Sequence, residues 1–415
     1  MNKYFADMKD NWITFACRAI AARSLSGQEK DCADLFLSSM ETAGIECFRD
    51  AVGNAIGVIR GNTPGPNILL TGHMDVVPAG DLNAWEEFLP FEGKVTDGKL
   101  YGRGISDMLG GLCCAFFAFC EIKKAVDHGF SLNGNLIFAG IVQEEPAECF
   151  GAKYALEHSF PEHNLTVDAV YLAEPSKGDI CLGHRGKVEL VIDVHGKVAH
   201  SSTPSEGISA LEKALPVITA AYHDFYKPVL THPTGHTTMA ITDVELTPGK
   251  TYSCVPDLCR IRIDRRYVPP MTLDDVLAQI QHFLDKQSQA DPDFKAEVYP
   301  STNHRIAYTG YEADVPKYHP FWSVDETNPY VQICKKALNA VGQYPKMNYW
   351  QFGTDGSAFA GMYHIPTIGY SCANDDQAHQ PKEHVIIDDM LSCIEGYTSI
   401  LCEIYGFDLQ NIINP

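Results

Sequence analysis

The sequence predicts an α/β fold: a mixed sheet with an inserted ferredoxin-like α+β unit. Three observations lead there. A chain of 415 residues is too long for one simple core, so two domains are expected. Apolar strands, several closed by an acid or a histidine, alternate with helices in the first 184 residues and again after 303. Between these stretches, residues 185–302 read strand, helix, strand, strand, helix, strand, the ferredoxin-like order, over the length of a small domain. The expected division is one domain from 1–184 and 303–415, with 185–302 inserted into it.

Residues 8–24 and 27–43 read as helices. The second places Cys32, Leu35, Phe36 and Met40 near helical spacing, and Gly44 ends it. Two short β runs follow, 45–50 and 54–60, and then the buried strand Ile68–Thr71, which turns at Gly72 into His73. Residues 78–98 are polar and turn-rich, carry Trp85 and Phe88, and end in a hairpin at Thr96-Asp97-Gly98. Asp107 precedes a long apolar helix to about Ala125, where a carboxylate is first of all a cap. The run 134–143 is a strand covered on both faces, ending at Glu144-Glu145-Pro146; 168–173 repeats the pattern and ends at Glu174-Pro175. In the insert, strands are expected at 184–195, 237–246, 252–266 and 294–299, with helices at 208–225 and 273–287. The first domain then resumes with a turn at 321–324, a helix at 329–341, a glycine-rich loop around Thr354, a strand at 365–370, a loop from Ala378 to His384 and a closing helix at 385–405.

A net charge of −21 argues against nucleic acid and anionic membranes as partners. The 14 cysteines are scattered, several in apolar helical runs such as 112–120, and form no C-x-x-C pair, which suits the buried thiols of a cytosolic protein better than disulfides or a zinc ribbon. No signal peptide is expected from the first residues and no uncharged run is long enough to span a bilayer, so a cytoplasmic location is expected.

Ligands in open α/β sheets bind beyond the carboxyl ends of the strands. His73 stands at such an end, with Asp75 placed to accept its other ring N–H. Glu144 and Glu145 share one site only past the strand end, because successive strand residues point to opposite faces. Together His73, Asp107, Glu145, Glu174 and His379 give five candidate ligands from separate strand and loop ends, with His384 a rival to His379. That set is too large for one four-coordinate structural zinc. It fits two divalent cations sharing a bridging carboxylate, zinc by preference and cobalt or manganese as alternatives. Glu144 is left over as a general base for the bridging water.

Here the sequence resembles a known family. The segments GHMDVVP, YGRGISDMLGG, VQEEP, LAEPS, HGKVAHSSTP and AHQPKE are similar, in order and over almost the whole chain, to the co-catalytic metallopeptidases of the M20 family. That family includes acetylornithine deacetylase, succinyl-diaminopimelate desuccinylase and carboxypeptidase G. Within it the chain looks closest to a branch of hydrolases linked to selenium metabolism. The resemblance implies a zinc-peptidase catalytic domain and an insert that serves as lid and dimer contact, hence a homodimer. It implies that His73, Asp107 and Glu174 hold one metal and Asp107, Glu145 and His379 the other, with Asp107 bridging. It selects His379 over His384, because the family's ligand opens this loop. Asp75 would support His73, Glu144 would move the proton, and the Asp107–Met108 peptide would be cis. His200 would reach a partner subunit's active site and hold the oxyanion. Arg265 and Arg185 are candidates for a substrate carboxylate, and Thr354 lies in a loop that lines the site in relatives.

The expected activity is hydrolysis of an amide next to a free carboxylate, in an N-acyl amino acid or short peptide. One rival is a binding protein that kept the fold and lost the chemistry; the complete ligand set argues against it. Another makes Glu144 and Glu145 a glycosidase acid pair, but adjacent residues seldom place carboxyls on opposite sides of one bond.

Overall fold

In a computed structural model of the protein, residues 2–146, 148–249 and 252–413 are described. After a single helical turn at Lys3–Ala6 come helices α1 (Lys9–Ala21) and α2 (Lys30–Thr42), followed by strands β1 (Glu46–Arg49), β2 (Ala55–Arg60) and β3 (Ile68–His73). Helix α3 (Gly110–Asp127) leads to β4 (Asn135–Ile141), β5 (Ala169–Leu172) and β6 (Ile180–His184). The insert comprises β7 (Gly186–His195), α4 (Ala210–His223), β8 (Thr238–Thr247), β9 (Leu258–Tyr267), α5 (Leu273–Ala290) and β10 (Lys295–Pro300). The chain closes with β11 (Trp322–Ser323), α6 (Pro329–Ala340), β12 (Met347–Trp350), β13 (Thr367–Tyr370) and α7 (Ile387–Tyr405).

The larger sheet runs β1-β2-β4-β3-β5-β13-β6-β11, with β12 beside β6. Strands β4, β3, β5 and β13 lie parallel in its middle. Every residue of β3, β5 and β13 is buried, as a parallel sheet covered on both faces requires. Leu70, Phe138 and Tyr171 belong to the core under α3 and α7, while Leu69, Ile137 and Val170 belong to a second core on the opposite face with Phe160 and Phe359. Each such large side chain contributes about 1.5–3 kcal/mol by leaving water. Among the described residues, the stretch Ile105–Asp127, which contains α3, is the one helix apolar and long enough to cross a membrane, and it is buried in this core.

The smaller sheet runs β8-β9-β7-β10, all antiparallel, which is the ferredoxin-like order. Its apolar face, with Val188, Leu190, Ile192, Ile261 and Ile263, packs on α4 and α5. Thr272 and Asp275 start α5 with reciprocal hydrogen bonds.

The chain passes between the sheets twice, and the passages lie side by side. The expected single strand at 184–195 is divided at Arg185: His184 ends β6 in one sheet and Gly186 opens β7 in the other. On the return, Tyr318–His319 pairs with Val188 and Lys187, and Trp322, where a turn was expected, pairs with His184. Between β10 and this return, the hairpin of Thr302–Ile306 and Glu312–Pro316 packs on the first unit through Arg305–Glu148 and the Tyr308 hydroxyl, which donates to the Gly53 carbonyl.

Candidate metal centre

The four parallel strands end on one side of the sheet, and the chemistry gathers beyond them. His73, the last residue of β3, is buried. Its Nδ1 lies 2.8 Å from the Asp75 carbonyl oxygen. A carbonyl only accepts, so Nδ1 carries the hydrogen and Nε2 offers its lone pair to the site. The expected carboxylate contact is looser: Asp75 Oδ1 stands 3.6 Å from Nδ1. That carboxylate instead accepts from the backbone N–H groups of Glu144 (2.9 Å) and Glu145 (3.1 Å) and from the Ser26 hydroxyl (2.7 Å). Asp75 thus orients His73 through its main chain and fixes the Glu144–Glu145 turn through its side chain.

Asp107 faces both imidazoles. Its Oδ1 lies 3.2 Å from His73 Nε2 and its Oδ2 lies 3.4 Å from His379 Nε2. The Asp107–Met108 peptide is cis. His379 Nε2 also meets Glu145 Oε2 at 3.0 Å, and its backbone sits in the left-handed region at φ 61°. One buried carboxylate secures this arrangement. Glu383 accepts from the N–H groups of Gly104 (3.0 Å), Ser106 (2.7 Å) and Asp107 (3.1 Å) and from Arg103 Nη1 (2.7 Å). Arg103 Nη2 in turn donates to the His379 carbonyl at 3.3 Å. The turn carrying Asp107 and the loop carrying His379 are therefore tied by one ion pair that sequence reading missed. The ion pair spans 280 positions.

Electrostatics show what the cluster lacks. Burial and the neighbouring Glu174, Asp355 and Glu145 push the Glu144 carboxyl well up, and burial does the same to Glu174. Burial alone would lower His73, but Asp107, Glu174 and Glu144 outweigh it and hold it well above the usual histidine value. Hydrogen bonds to Asp107 and Glu145 raise His379 to about 10. Glu145 Oε1 is buried with no hydrogen-bond partner among the described residues. Donor atoms of His73, Glu144 and Glu174, and of His73, Asp107 and Glu145, lie within 4.8 Å of one another. Converging buried acids are costly unless a cation answers them. The mixed N and O donors and the unpaired oxygen fit divalent metal ions.

A cavity of about 480 Å³ opens over this cluster. Asp107, Glu144, Glu145, Glu174 and His379 line one side; Arg185, Lys187, Thr238, Asp264 and Arg266, from the inserted unit, line the other. Other candidates lie elsewhere. Arg265 is fully buried on the helix-covered face of β9, with Nη1 donating to the Thr238 carbonyl, because strand residues alternate and its neighbours Asp264 and Arg266 take the cavity side. That placement corrects the expectation for Arg265. Thr354 is buried behind the lining residue Gly353; its N–H donates to His184 Nε2 at 3.0 Å and its hydroxyl accepts from Gly356. His200 is exposed on the insert, 2.7 Å from the Ser202 hydroxyl, and does not line the cavity. His384 turns to the Lys382 carbonyl and the Tyr101 ring and is not among the residues lining the cavity.

Residues 69–403 match the model of peptidase family M20/M25/M40. The chain belongs to this family. It is a metal-dependent hydrolase acting on amide bonds. It is 29% identical over 400 residues to the uncharacterized protein YgeY of Escherichia coli, covering 96% of this chain and 94% of that one. It is 27% identical over 400 residues to succinyl-diaminopimelate desuccinylase 1 of Alteromonas mediterranea, covering 94% and 95%. Its fold matches the Bacillus subtilis YXEP protein, described as a dinuclear metal binding peptidase from the M20 family, with a TM-score of 0.69 at 16% identity over 97% and 99% of the chains.

Proposed function

We propose that the protein hydrolyses the amide of an N-acyl amino acid or short peptide, next to a free carboxylate, with two divalent metal ions. The observation that carries this reading is Asp107, which turns one oxygen to His73 and the other to His379. His73, Asp107 and Glu174 would hold one ion, and Asp107, Glu145 and His379 the other; nitrogen with carboxylate donors favours zinc. Bound there, the ions supply Lewis acidity and a water acidified for attack. Glu144 borders the same space and takes up the water's proton, then returns it to the leaving nitrogen. Arg185 and Arg266, on the facing wall, bind the substrate carboxylate.

The insert, residues 185–302, serves as lid and dimer contact in this reading. Leu211, Leu215 and Tyr222 are 37%, 55% and 62% exposed along α4, an apolar face for a second copy. His200 then reaches the partner's cavity and holds the oxyanion. Fourteen free thiols suit a reducing cytoplasm. The test is metal analysis joined to a hydrolysis screen. Two ions per chain, with activity lost on chelation and restored by zinc or cobalt, is the expected result. A protein that binds no cation and cleaves nothing in a broad panel of acyl amino acids and dipeptides would sink the proposal.

A further inference from the structure

The side of the cavity opposite the carboxylates carries more positive charge than a single substrate carboxylate needs. Arg185, Lys187 and Arg266 all line it. Lys187 and Arg266 are direct cross-strand partners on β7 and β9, and like charges in that position repel. One local acid relieves part of this: Asp264 receives Arg266 Nε at 2.8 Å and Nη2 at 3.3 Å. Arg185 donates to two neutral carbonyls, those of His236 (2.9 Å) and Gln351 (3.4 Å), and makes no ion pair among the described residues. Lys187 has no ion pair among the described residues, and burial together with Arg266 pushes its ammonium below the usual lysine value. The nearby Glu189, which could have answered it, is engaged by Lys317 at 3.1 Å. The remaining lining residues of this side, Thr238, Gln351, Phe352 and Gly353, are neutral. Across the cavity, the carboxylates of Asp107, Glu145 and Glu174 would be engaged by the divalent ions of the hydrolase reading rather than by this wall. Arg185 and Lys187 therefore face the substrate space without an ion pair among the described residues, and Asp264, their nearest acid on this wall, is held by Arg266.

We propose that Arg185 and Lys187, beside the Asp264-paired Arg266, form a two-anion receptor, and that the substrate is an amide bearing two carboxylates. This rests on the hydrolase reading above and narrows it. The second carboxylate comes either from an acidic amino acid, as in N-acetyl-glutamate, or from the acyl group, as in N-succinyl-alanine. Both present the same chemistry to Lys187.

The experiment compares the metal-loaded enzyme on N-acetyl-glutamate, N-succinyl-alanine and N-acetyl-leucine, in wild type and Lys187→Met. One or both dianions should show a KM at least tenfold below that of N-acetyl-leucine. Lys187→Met should raise the dianion KM about tenfold, with kcat and the N-acetyl-leucine KM within twofold. Which dianion responds identifies where the second carboxylate sits. Equal KM values for all three amides, or an equal effect of the substitution on all, overturns the proposal. A second readout does not need turnover: succinate should raise the melting temperature of the metal-loaded wild type more than acetate does, and Lys187→Met should erase the difference. If no amide is cleaved, the hydrolase reading falls, while the succinate shift still decides whether the receptor exists; no shift overturns it.

Discussion

The two walls of the cavity are built on opposite plans. The acidic wall draws one or two side chains from each of several strand and loop ends, where the backbone has left the pleat and can aim them together. Apart from Arg185 at the break between the sheets, the basic wall draws its charged side chains from neighbouring strands of one sheet, where the two-residue alternation dictates which residues face the substrate. The first plan tolerates imprecision in reading, because everything past a strand end converges. The second does not: one position separates a lining residue from a core residue, as Arg266 and Arg265 show.

The sharpest break in the comparison is at Glu144. Replacing it with alanine should lower kcat about 10²–10⁴-fold while metal content stays unchanged, since it removes a proton carrier. Turnover at the wild-type rate would remove it from the mechanism. Glu383→Ala should follow. The outer partners of metal ligands are worth about 10–100-fold in affinity or activity. Competition with a chelator should therefore show weaker metal binding, even though Glu383 lies outside the proposed ligand set.

On the basic wall, Arg266→Met should raise KM several-fold, whereas Arg265→Met should leave KM alone. Because Arg265 places a cation on a buried face, with burial lowering it to about 10, methionine there should give equal or greater thermal stability. A KM increase in Arg265→Met alone would invert the assignment.

The smallest effect concerns pH. Burial lowers His184 from 6.5 to about 4. Its folded value lies below its unfolded one, so its contribution is fully present above about pH 6.5 and is lost as pH falls towards 4. The difference in melting temperature between wild type and His184→Asn should therefore shrink across that window.

The legibility of the sequence follows the same division. Helix and strand positions were readable to within a few residues wherever a long period ran unbroken, as in α2, α3 and α7. Candidate residues of the acidic wall could be listed because each follows an apolar run or opens a helix or loop. Three features were hidden. The break at Arg185 carries no proline, and its flanking Gly183 and Gly186 stand inside β-like runs that continue on either side, so it reads as one strand. The Arg103–Glu383 tie spans 280 positions, so no local window contains it. Arg265 is a candidate on residue type alone, and only the burial alternation of β9 shows that its neighbour Arg266 takes the cavity side. Asp75 is readable as a neighbour of His73, but its carboxylate has nearer partners in the backbone N–H groups of Glu144 and Glu145.

The paired passages between the sheets have a mechanical consequence. His184 lies against Trp322 and Lys187 against His319, so the two connecting ribbons are laced to each other as they cross. Ribbons laced in this way would flex along a single line, like the spine of a book. Any opening of the two halves would then carry Lys187 and Arg266 along one arc, and the angle at which the covers rest would set how long a molecule fits between the pages.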